Sequence, residues 1–360
     1  MKAAILIPVL ANRDAVGADA LTMASVFERN GLETRIFCIS AHDVAVRTYP
    51  AHKLNAFVGP DDIVVYHFSM GWAKGLDLLR RCPARLFVKY HNITPPEFFH
   101  SISHEHEEAC RDGRAEIAAV AALGCERYIG DSAYNLDELF AAGAPRASGS
   151  VLAPFHRIDD LLEAEADAAM LDELGDGARN FLMVGRIAPN KGHVDLVDAF
   201  AAYLRAYAEP ARLVLVGKID PRLSAYTNAV RARVAAYGIE KHVRWVDGAS
   251  ESELKAAYLA SHVFMLLSAH EGFCVPLVEA MALGTPIVAR ATTAVPETLG
   301  SAGIAWNSAD PFVYAATAAR LFSDAVFRDS LREQGMRRYR EQFRNDRLGA
   351  RLLELVEQRT

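Results

Sequence analysis

Short, unbroken apolar runs alternate along the chain with longer stretches whose apolar residues recur at helical spacing. In the first half the runs are Ala3–Val9, Thr34–Ile39, Ile63–Phe68, Arg85–Tyr90 and Arg127–Gly130. In the second half they are Phe181–Val184, Leu213–Val216, Val243–Val246, Val263–Leu267 and Pro286–Ala289. Runs that do not alternate with polar residues predict strands buried on both faces, the mark of a parallel sheet covered by helices. Ala18–Asn30 reads as the first such helix, with Gly31 at its C-terminal cap. Two series of this kind predict an α/β fold of two doubly wound, Rossmann-like domains.

The chain's 360 residues exceed what one core usually organises, which also favours two domains. The divisions predicted are a first domain over 1–155, a linker over 156–179 and a second domain over 180–339. The acidic, alanine-rich stretch 158–177 ends in the turn-forming Gly175-Asp176-Gly177. The charged segment 340–360 reads as a helix that packs back onto the first domain. A formal charge of −6 without a long basic run argues against a nucleic-acid partner. Met1-Lys2 leads directly into the first strand, so the start does not read as a signal peptide, and no apolar run reaches bilayer length. Five scattered cysteines without a C-x-x-C pair favour reduced thiols and a cytoplasmic setting over disulfides or a zinc site.

Two loops at predicted strand ends carry candidate chemistry. Gly185-Arg186-Ile187-Ala188-Pro189-Asn190-Lys191-Gly192 follows one strand and opens a helix. Arg186 offers a planar fork and Lys191 a point charge beside a helix N-terminus, a set suited to a diphosphate. A solvated loop with two surface cations explains the same residues about as well. The stretch 270–289 sets Glu271 and Glu279 eight positions apart. Pro276 suits the first position of a helix ending at Leu283, with Gly284 as its cap. The amides of Gly272, Phe273 and Cys274 are expected to point into the same space. Taken singly, Glu279 reads as a helix-end charge and Glu271 as a surface acid. The composite pattern E-G-F-x-V-P-x-x-E-A-x-A-x-G-x-P-I-V-A is what raises them to candidates.

With these motifs the chain resembles the retaining nucleotide-sugar glycosyltransferases of family 4, which have the GT-B fold of two Rossmann-like domains facing a central cleft. The likeness covers residues 180–300 strongly, including W-V-D-G-A-S-E-S-E-L at 245–254, and the N-terminal half weakly. It implies that Arg186 and Lys191 hold the donor diphosphate, that Glu271 faces the donor sugar and that Glu279 binds the ribose. Fixed cations there would stabilise charge on the leaving group. It implies no cofactor and no metal, and the sequence shows neither a D-x-D motif nor a linear cluster of ligands. Its partners would be a nucleotide sugar donor and a glycan or lipid-linked glycan acceptor. H-N-I-T-P-P-E-F-F at 91–99 further resembles bacterial enzymes of polysaccharide assembly, a weaker signal that favours GDP-mannose as donor.

In the N-terminal half, His91 stands at a strand end and, by the resemblance, contacts the donor sugar. A histidine bonding its own loop is the alternative. Thr94–Glu97 reads as a capping box. The first loop departs from the family in having only Gly17, expected to cap the helix with its amide left for the donor. Arg13 and Asp14 read as acceptor contacts or as solvated residues. Asp131-Ser132 reads first as a helix cap. His100, His104 and His106 read as a solvated face rather than a metal set. Arg80, Arg81, Arg85 and Lys89 would suit peripheral contact with anionic lipid, but a helix end followed by a strand start is preferred. Rival functions are a nucleotide-sugar epimerase or phosphorylase on the same fold, or a non-catalytic GT-B subunit. A nicotinamide dehydrogenase is disfavoured because no G-x-G-x-x-G follows the first strand.

Overall fold

The structure, a computed structural model, describes residues 1–12 and 14–358, so Arg13 lies outside the described residues. The chain forms two compact units. One comprises Met1–Glu97, Glu105–Arg157 and Arg344–Thr360; the other comprises Phe98–His104 and Ile158–Phe343.

The first unit contains β1 (Lys2–Leu6), β2 (Val9–Ala11), β3 (Glu33–Cys38), β4 (Ser40–His42), β5 (Thr48–Pro50), β6 (Ile63–Phe68), β7 (Arg85–Tyr90), β8 (Arg127–Gly130) and β9 (Gly149–Val151). Seven of them form a parallel sheet in the order β5-β3-β1-β6-β7-β8-β9, while β2 and β4 pair separately. Every residue of β6 is buried, as its unbroken apolar run predicts. Tyr66, Phe68, Val88, Tyr90 and Tyr128 join Trp72, Leu76 and Leu136 in one apolar cluster. The final strand of this unit is Gly149–Val151. The C-terminal helix Asn345–Glu357 belongs to this unit: Arg85 donates to the Val356 carbonyl at 2.8 Å, and Asn345 Nδ2 to the His156 carbonyl at 2.8 Å.

The second unit contains β10 (Arg179–Val184), β11 (Ala211–Val216), β12 (Val243–Val246), β13 (Val263–Leu266), β14 (Ile287–Arg290) and β15 (Ile304–Trp306), parallel in the order β12-β11-β10-β13-β14-β15. In both sheets the chain order reverses beside the first strand of the unit, the switch point at whose carboxyl side ligands bind in doubly wound folds. The segment read as a linker holds two helices of this unit, Ile158–Glu163 and Ala168–Leu174, because Ile158, Leu161, Met170 and Leu174 give it a buried face.

One further expectation is corrected: Thr94–Glu97 does not open an α-helix, and Pro96–Phe99 is a single 3-10 turn. The preferred reading of the basic cluster holds: Arg80 caps a helix end and Arg85 opens β7, with Lys89 fully buried against Asp131 and Arg85 paired with Glu126. No helix among the described residues is long and apolar enough to cross a membrane.

Candidate functional site

In the second unit, β10 delivers the chain to the loop 185–192, where Pro189–Lys191 make one 3-10 turn before the helix His193–Ala206. Gly192 joins them with φ +67°, and a Cβ there would lie 2.0 Å from the Leu267 carbonyl oxygen. Only glycine fits both constraints. Asn190 ties this loop to the one after β13: its carbonyl accepts from the Ala269 and His270 amides at 2.9 and 3.2 Å, and its Nδ2 donates to the His270 carbonyl at 3.2 Å.

That tie brings Lys191 onto Glu271. Lys191 Nζ lies 2.8 and 2.7 Å from the two carboxylate oxygens, and Ser268 Oγ donates to Oε1 at 2.7 Å. Glu271 is 5% exposed. Its backbone is held by Thr293, whose Oγ1 accepts from the Glu271 amide at 2.9 Å and donates to its carbonyl at 2.8 Å. Burial opposes the Lys191 charge, but Glu271 outweighs it and holds the pKa above its ordinary value. Arg186 is exposed and near enough to oppose the Lys191 charge.

Cys274, at φ +81°, leads into the helix Val275–Leu283, with Pro276 in its first turn and Gly284 at its end. Glu279 accepts from the Tyr258 hydroxyl at 2.7 Å. Burial raises its pKa to about 7 against the pull of that hydrogen bond. Gly272, Phe273 and Cys274 take up the turn between the acids. The side chain of Phe273 serves the core, edge-on to Phe343 with centroids 5.6 Å apart, and its carbonyl accepts from Thr298. Lys191 and Glu271 thus come together, with Arg186 near Lys191, and Glu279 follows one helix turn beyond the glycine-containing loop.

The first unit departs further from expectation. The amide of Gly17 is not left for a ligand: it donates to Asp14 Oδ1 at 2.6 Å, because Asp14 is the N-cap of the helix Ala15–Arg29. Gly17 is needed for space, since a Cβ would sit 1.8 Å from the Ala11 carbonyl oxygen. His91 does not present a free ring either. Its side chain is 4% exposed, with Nδ1 3.0 Å from Asp131 Oδ2 and Nε2 2.9 Å from His67 Nδ1. Asp19, His67, Lys89 and Asp131, all buried, surround it. Sequence spacing concealed this cluster; the parallel order β6-β7-β8 brings together His67, Lys89, His91 and Asp131 at neighbouring strand ends, and the helix Ala15–Arg29 adds Asp19.

The chain has the GT-B fold. It aligns with the crystal structure of the Anabaena protein HepE in complex with UDP at a TM-score of 0.80 and 16% identity, over 99% of this chain and 100% of that one. Residues 172–338 match the family described as glycosyl transferases group 1. Over 237 residues the chain is 31% identical to a D-inositol 3-phosphate glycosyltransferase of Jonesia denitrificans, covering 62% of this chain and 54% of that protein. Over 115 residues it is 38% identical to a GDP-mannose:cellobiosyl-diphosphopolyprenol alpha-mannosyltransferase of Komagataeibacter xylinus, covering 32% of this chain and 28% of that protein. The chain therefore spans about half the length, or less, of these curated relatives.

Proposed function

We propose that the chain is a glycosyltransferase that moves a hexose from a nucleotide diphosphate sugar to a hydroxyl of a glycan or lipid-linked glycan in polysaccharide assembly. The anomeric configuration is retained, and no metal takes part. The observation that carries this reading is the Lys191–Glu271 pair, a buried carboxylate gripped at 2.8 and 2.7 Å, with Arg186 exposed in the same short loop. In the resting protein Glu271 satisfies Lys191. A donor diphosphate offers the ammonium a second anion and Arg186 a bidentate one. Glu271 is then released to accept from sugar hydroxyls, and Glu279 from those of the ribose.

The reaction breaks the bond between the anomeric carbon and the diphosphate oxygen while negative charge grows on the leaving group. Arg186 and Lys191 stabilise that charge where it develops. The acceptor hydroxyl attacks from the same face, and its proton passes to a departing phosphate oxygen. Neither glutamate needs to be a nucleophile. GDP-mannose is the preferred donor, supported by the name of the Komagataeibacter relative; HepE, bound to UDP, makes UDP-sugars the competing choice.

The test is a thermal-shift screen of nucleotide sugars followed by a transfer assay with NMR detection of the anomeric proton. A true donor at about 100 times its Kd stabilises by roughly 2.7 kcal/mol. Transfer with inversion would overturn the retaining assignment, and a panel without a stabilising donor would overturn the function.

A further inference from the structure

The polar cluster at the carboxyl ends of β6, β7 and β8 is an ordered relay. Lys89 Nζ lies 2.6 Å from Asp131 Oδ1, and Asp131 Oδ2 lies 3.0 Å from His91 Nδ1. His91 Nε2 lies 2.9 Å from His67 Nδ1, and Asp19 Oδ2 stands 3.5 Å from both of those nitrogens. By distance alone Asp19, His67 and His91 form a set able to hold a metal ion. The rings oppose it. Their planes differ by 18° and their centroids are 5.1 Å apart, which exceeds the N···N distance by about the two ring radii. The nitrogens therefore meet head-on in a hydrogen bond, whereas two ligands of one ion must converge on a third point.

The direction of that bond follows from the donor inventory. A carboxylate only accepts, so His91 Nδ1 carries its hydrogen toward Asp131. In neutral His91, Nε2 is then an acceptor, so His67 Nδ1 donates and His67 Nε2 is bare. His67 Nε2 is a buried ring atom without a hydrogen-bond partner, as expected of a bare lone pair. Burial above all disfavours the charged form of His67. The same turn is fixed on its other side. Asn92, at φ +68°, donates to Glu138 Oε2 at 2.8 Å, and Arg114 donates to the Ile93 carbonyl at 2.8 Å.

We propose that His67 is a positioning residue: through its Nδ1 hydrogen it locks the ring and tautomer of His91, and with them the turn 91–93 at the end of β7, so that the turn backbone rather than the imidazole is what a substrate meets. Asp131, oriented by Lys89, sets the direction of the relay. The link from this turn to turnover rests on the proposed transfer reaction; the tautomer and the lock do not.

The experiment is ¹⁵N-edited NMR of histidine-labelled protein with hydrogen exchange of residues 91–94, on the wild type, His67→Asn and His67→Leu. Asparagine keeps a donor near the Nδ1 position; leucine removes it. The expected result is a protected Nδ1–H on both His67 and His91 in the wild type. In H67N the His91 signal and the exchange protection persist. In H67L both are lost, and kcat falls about ten- to hundredfold through misplacement of the turn, with little change in donor KM. Protonation of His67 at Nε2, or H67L with unchanged His91 signal and exchange, would overturn the proposal. Equal damage in folded H67N and H67L would do so as well, whereas a wild type that shows the lock but no transfer turnover would count against the transfer reading instead.

Discussion

Replacing Lys191 with alanine strips the buried Glu271 carboxylate of its cation. Glu271 is 5% exposed and Lys191 23%, and after the change the recorded side-chain donor to Glu271 is Ser268 Oγ alone. Removing one partner of a buried pair costs about 3–5 kcal/mol, because the remaining charge is left uncompensated. The exposed fraction of Lys191 lets water reach the gap, so a value discounted to about 2–3 kcal/mol is the working one. At roughly 2–4 °C per kcal/mol for a unit of this size, the melting temperature falls by about 4–12 °C. Adding Glu271→Gln removes the stranded charge while leaving an acceptor for Ser268. The double variant K191A/E271Q therefore recovers most of the lost stability in urea denaturation, whereas turnover stays at least a hundredfold down because the diphosphate cation is still missing. A K191A cost below about 0.5 kcal/mol, or a double variant no more stable than K191A, would refute the claim that this pair carries an uncompensated buried charge.

Three further outcomes follow from the same geometry. The pKa of Glu279 is raised to about 7 by burial, so the folded protein holds a proton that the unfolded chain releases near the ordinary glutamate value, and stability is lost as pH rises toward 7. The full linkage is about 3 kcal/mol and partial exposure roughly halves it, so E279Q gains on the wild type by about 1–2 kcal/mol between pH 5 and 8; a flat or reversed difference contradicts this. Gly192→Ala meets both a positive φ and a carbonyl 2.0 Å away, and loses about 3 kcal/mol or more in thermal unfolding; a loss under about 1 kcal/mol contradicts the constraint. Transfer activity persists after EDTA treatment, and a strict need for added divalent ion would contradict the proposed chemistry.

What could be read in advance divides along physical lines. Strands buried on both faces, such as Ile63–Phe68 and Val263–Leu266, announce themselves as apolar runs. The three-residue strands β2, β4, β5, β9 and β15 are partly exposed and carry no such run. The helix after Glu271 was legible because Pro276 and Gly284 mark its ends locally. Gly17 was misread because Asp14, a stronger cap, lies three positions earlier. The loops 185–192 and 271–279 are contiguous, so their chemistry could be read directly, although their meeting through Asn190 and Lys191 could not. The cluster around His91 draws single residues from Asp19 to Asp131, and only the order of parallel strands brings them together.

The central claim is that Arg186, Lys191 and Glu279 of the second unit hold a nucleoside diphosphate. Isothermal titration calorimetry of GDP and UDP against the wild type, K191A and E279A tests it most directly. The account predicts one site per chain on the wild type for at least one nucleotide, with affinity reduced about tenfold or more in each variant. A wild type that binds neither, or variants that bind as tightly as the wild type, would contradict it.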